Sequence, residues 1–142
     1  VRGLVALAAV AAFAAPVLAG PAAGPVSVRD PVIRPAAAGQ PTTAAYMTLV
    51  NPGQDAVRLK AVSCACAAMV EPHQSSMAGG VMRMRPAGPV IIPPHGSLSF
   101  QPGGLHLMVM DLKRAIKPGD SVPMQLSFDR GAAVTVSFKA VR

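Results

Sequence analysis

Two imidazoles and two thioethers stand out for their spacing. His73 is followed after ten residues by Met84, after twenty-one more by His106, and after one more by Met108. All four are neutral, soft-to-borderline donors of the kind that hold Cu(I) better than Zn(II), Mg(II) or Ca(II). Thioethers neither titrate nor form disulfides, and imidazoles are largely neutral above about pH 6.5. Thiolates would be oxidised or would grip the ion too tightly for release. The four residues therefore read as a site that carries Cu(I) and hands it on. Blue-copper electron transfer would need a cysteine beside two histidines, and none lies near His106, so redox cycling is the weaker reading.

The elements that must position these side chains are strands. Fifteen prolines are spread through the chain, and no apolar series at helical spacing persists. Short apolar runs bounded by turn residues recur instead, the pattern of an antiparallel sandwich or barrel. Strands are expected over 44–50, 57–63, 67–71 continuing toward His73, 81–85, 90–92, 98–100, 105–111, 122–128 and 133–141, after an irregular first strand near Val26–Ile33. Alternation separates core from site: Leu105, Leu107 and Val109 point one way, His106, Met108 and Met110 the other. Met82 and Met84 likewise share a face, opposite Arg83 and Arg85. With one Tyr, four Phe and no Trp, the core must be filled by Val, Leu, Ile and Met.

The bland readings compete with this one. A single methionine in a chain with eight is more often core filler than ligand, and a lone histidine is more often a plain surface residue. His95 reads as an ordinary turn residue. Met77, Met82 and Met110 are candidates for spare donors, and Lys113, Arg114 and Lys117 form a basic loop that reads as a solvated edge.

Residues 1–19 carry Arg2, an apolar run and small residues ahead of Gly20, the pattern of a cleaved secretory signal peptide. The remainder, 20–142, has the length of one domain, without a membrane anchor and monomeric. The net charge of +7 falls by one when Arg2 leaves with the leader. Scattered basic residues and few aromatics argue against nucleic acid. The only cysteines are Cys64 and Cys66. Read on a strand, they share a face but span too little backbone for an unstrained bridge, so no structural disulfide is expected and a soft-metal role stays open.

The segment His73-x10-Met84-x21-His106-x-Met108 resembles the motif of the periplasmic copper chaperones of the PCu(A)C type. The phrases Ala44-Ala45-Tyr46-Met47-Thr48-Leu49, Asn51-Pro52-Gly53, Gly80-Val81-Met82-Arg83-Met84-Arg85, Pro102-Gly103-Gly104-Leu105-His106-Leu107-Met108 and Gly119-Asp120-Ser121-Val122-Pro123 are similar to that family as well, over about residues 26–140. The resemblance implies a cupredoxin-like Greek-key β-sandwich binding one Cu(I) through His73, Met84, His106 and Met108. It implies a periplasmic carrier that delivers copper to the copper-bearing subunit of cytochrome c oxidase, alongside a Sco-type thiol protein. Two departures stand out: Glu71-Pro72-His73-Gln74-Ser75-Ser76-Met77, which suggests a differently set loop around His73, and Cys64-Ala65-Cys66.

The rival from another class is an exported β-sandwich that binds protein and whose methionines only pack. An enzyme ranks last, because acidic residues are few and no Ser/His/Asp or Cys/His pairing or phosphate-binding glycine loop stands out.

Overall fold

Ten strands follow one another, with no helix among the described residues. A computed structural model describes residues 26–142; the stretch 1–19, read above as a leader, lies outside the described residues. The strands are β1 Ser27–Ile33, β2 Thr42–Val50, β3 Val57–Cys64, β4 Ala67–Ala78, β5 Val81–Pro86, β6 Val90–Ile92, β7 Ser97–Phe100, β8 Leu105–Leu112, β9 Ser121–Phe128 and β10 Val134–Ala140.

The sheet runs β5-β4-β8-β2-β1-β10-β9-β3-β6, with β7 on β2, and a β3–β4 pairing at Val62↔Val70 brings the two sides together. Neighbours in space are mostly not neighbours in sequence, and every pairing is antiparallel except β1 with β10. This is the expected all-β, cupredoxin-like sandwich. Closure protects most strand edges and leaves β5 as an outer strand beyond β4.

The interior follows the alternation. Leu107 and Val109 from β8 lie fully buried with Ile33, Leu49, Leu126 and Phe138. Of the eight methionines, only Met47 and Met124 belong to this core.

The structure corrects two expectations. Cys64 and Cys66 form a disulfide. Cys64 ends β3 and Cys66 sits in the turn before β4. The chain bends there rather than running extended, so the Cα atoms are 5.1 Å apart, inside the range a bridge needs. No thiol is then left to serve as a soft-metal donor. His73 lies on no loop: β4 continues through it to Ala78. Pro72 does not end the strand because its backbone points to the β5 side, where its carbonyl accepts the Ala87 N–H at 2.9 Å. The ladder with β5 stops at His73↔Pro86, so the missing proline N–H falls where the pairing already ends.

Candidate metal centre

The centre is built on the rungs between β4 and β8. His73 stands directly opposite His106, and Glu71 opposite Met108. The two imidazole centroids are 6.2 Å apart with their planes tilted by 52°. Met108 follows His106 by two residues and shares its face. The structure thus brings His73, His106 and Met108 together. Met84 stands further out, on β5, paired with Ser75. It shares the face but lies two strands from β8, with half its surface exposed (52%), so its flexible side chain must reach across β4 to join the others.

His106 is fixed in a particular protonation pattern. Gln101-Pro102-Gly103-Gly104 forms a tight turn in which the Gly104 N–H donates to the Gln101 carbonyl at 3.1 Å. Gly103 adopts φ +81°, the conformation that a proline–glycine turn of this kind demands. The turn aims the Gly104 carbonyl back at the strand pair. It accepts the Ser75 N–H at 3.2 Å and lies 3.0 Å from His106 Nδ1. A carbonyl can only accept, so Nδ1 carries the proton and Nε2 of the neutral ring keeps a free lone pair. That Nε2 is buried and has no hydrogen-bond partner, in a residue only 3% exposed. Leaving a buried polar atom unpaired costs about 1–3 kcal/mol, and such an atom calls for a ligand. One nitrogen held by a backbone carbonyl and the other left open is the arrangement of metal-ligating histidines.

His73 is oriented by a neighbouring carboxylate. Its Nε2 lies 3.4 Å from Glu71 Oε2, a long contact that leaves Nδ1 as the other available nitrogen. Among the described residues, no three of His, Cys, Asp and Glu gather where they could hold a metal ion. The further donors on this face are the thioethers of Met108 and, from β5, Met84, and a His/Met donor set favours a soft cation.

The family model described as "Putative lipoprotein LpqE-like" matches residues 26–140. The chain belongs to that family. The LpqE-like chain is 29% identical over 102 residues to the "Putative lipoprotein Lxx21020" of Leifsonia xyli subsp. xyli, covering 71% of this chain and 61% of that protein. It thus spans less than two thirds of that curated relative. It is 31% identical to the Cu(I) form of DR1885 from Deinococcus radiodurans, with a TM-score of 0.63 over 86% of this chain and 82% of that one. The copper-bound PCuAC domain of PmoF2 shares the fold, with a TM-score of 0.70 at 23% identity over 82% of this chain and 92% of that domain. A described lipoprotein family fits the expectation of an exported chain.

Sequence reasoning missed several residues of this LpqE-like face. Gly104 was visible only as part of a turn, although its carbonyl sets the His106 tautomer. Ser75 and Glu71 take their places through the β4 register, which no local signal discloses. Met69 pairs with Met110 at one end of the face, and Met77 with Met82 at the other. Met69, Met77, Met82 and Met84 are all exposed, so the packing explanation fails for them. His95 is an exposed turn residue with φ +52°, and Lys113, Arg114 and Lys117 are exposed as expected.

Proposed function

We propose that this chain is an exported Cu(I) carrier that holds one ion on His73, Met84, His106 and Met108. The observation that carries the reading is the buried, unpartnered Nε2 of His106, with His73 facing it and thioethers beside it. The Cu(I) form of DR1885, a relative at 31% identity, supports the choice of metal. Transfer proceeds by ligand replacement: a partner's donors enter at the exposed Met84 side as the weaker thioethers leave. The buried imidazole of His106 lets go last. The chain acts as carrier rather than catalyst, in the periplasm after loss of residues 1–19, as a monomer of one domain over 20–142. Its recipient is the copper-bearing subunit of cytochrome c oxidase, with a Sco-type thiol protein as a second partner.

The test is a titration of Cu(I) against a competing chelator, comparing the parent with His106→Leu. The parent should take one tightly held equivalent and the variant should lose it. The protein-docking alternative, in which the exposed methionines serve only as adaptable contact surface, predicts equal binding by both.

A further inference from the structure

Beyond the two histidines the same face continues into a second group of thioethers. The β4–β5 turn is Gly79-Gly80, with φ +59° and +77°, a two-residue turn with both residues left-handed. Such a turn makes Ala78↔Val81 the hydrogen-bonded rung, so the next rung, Met77↔Met82, is a non-hydrogen-bonded pair. Pro86, four residues beyond Met82 and hence on a rung of the same kind, lacks an N–H to donate, which agrees with this alternation. Side chains on such rungs are the closer ones, with Cα atoms about 4.5 Å apart. Unbranched, flexible thioether side chains rooted this close together on one face can bring both sulfurs onto a single ion.

Packing does not explain these side chains. Met77 is 65% and Met82 56% exposed, so neither gains the stabilisation that burial gives an apolar group. The charges that commonly guard an outer strand are supplied on its other face by Arg83 and Arg85. Met84 lies two residues from Met82 on the same side, about 6.7 Å along the strand. Thioethers thus lead from the open tip of the hairpin to the centre.

We infer that Met77 and Met82 form a second, weaker site for a soft monovalent cation, a station through which the ion reaches or leaves the centre by way of Met84. The station itself depends only on its own rung; its role as a station for the centre rests on the function proposed above.

The test follows the methionine methyl resonances of the 13C-methyl-labelled protein during titration with silver(I), a redox-inert monovalent soft ion. The first equivalent should shift Met84 and Met108, and the second should shift Met77 and Met82. The methyls of Met47 and Met124, buried in the core, should stay in place. The double variant Met77→Leu, Met82→Leu should bind one equivalent instead of two and keep the first step unchanged. If the Met77 and Met82 methyls stay still in excess silver, or the double variant still binds two equivalents, the second site is overturned. If Met77 and Met82 shift while Met84 and Met108 do not, the second site holds and the assignment of the centre is what fails.

Discussion

His73 and His106 share one rung of the β4–β8 ladder, and their ring centroids lie 6.2 Å apart. Nitrogen–metal bonds of about 2.0–2.1 Å allow two rings on one ion to have centroids up to about 6.4 Å apart. The β4–β8 pairing therefore keeps the two rings within that reach, and Glu71 and the Gly104 carbonyl orient them. Preorganisation of this kind lowers the ordering that binding would otherwise require.

His106 carries a conflict between stability and binding. His106→Leu removes a buried unpartnered nitrogen, worth about 1–3 kcal/mol, and forgoes one hydrogen bond worth about 1 kcal/mol. Gly104 keeps the Ser75 N–H as a donor, so no carbonyl is orphaned. The metal-free variant should be at least as stable as the parent, by up to about 2 kcal/mol in urea unfolding, while losing Cu(I). A large loss of stability would mean that the nitrogen has a structural partner.

Methionines divide by burial into two classes with opposite responses. Met84→Leu, at a half-exposed position, should change stability by no more than about 0.5 kcal/mol while lowering Cu(I) affinity in a chelator competition. Met124→Ala, in the core, should cost about 2–5 kcal/mol and leave the affinity alone. The reverse pattern would place the ligands elsewhere.

Much of this was readable in the sequence. The runs 81–85 and 105–111 matched β5 and β8 because their alternation and flanking glycines are local signals. The reach of β4 to Ala78 was hidden by Pro72 and by the polar run Gln74-Ser75-Ser76, whose strand character comes from pairing with β5 and β8. The position of β4 between β5 and β8, which sets Met84 two strands from Met108, depends on non-local register. So does the parallel β1–β10 pairing. The Cys64–Cys66 bridge was misjudged because the pair was placed on a strand instead of in a turn.

That bridge lies seven residues before His73 along β4, about 23 Å of extended chain. It should act on the fold and not on the metal. Cys64→Ala with Cys66→Ala should lower stability by about 1–2 kcal/mol, the chain-entropy value for so small a loop, with Cu(I) affinity unchanged. A marked change in affinity would tie the sulfur pair to the centre.

Glu71 should matter modestly. Its 3.4 Å contact with His73 is long and half-exposed, so Glu71→Gln should weaken Cu(I) binding by about tenfold, the low end for groups that orient a ligand. No change in a chelator competition would show that His73 is held by the β4–β8 rung alone.

X-ray absorption on the protein loaded with one equivalent of Cu(I) tests the central claim most directly. The account predicts a shell of mixed sulfur and nitrogen scatterers, with the sulfur contribution reduced in Met84→Leu. A shell of nitrogen and oxygen only would contradict it.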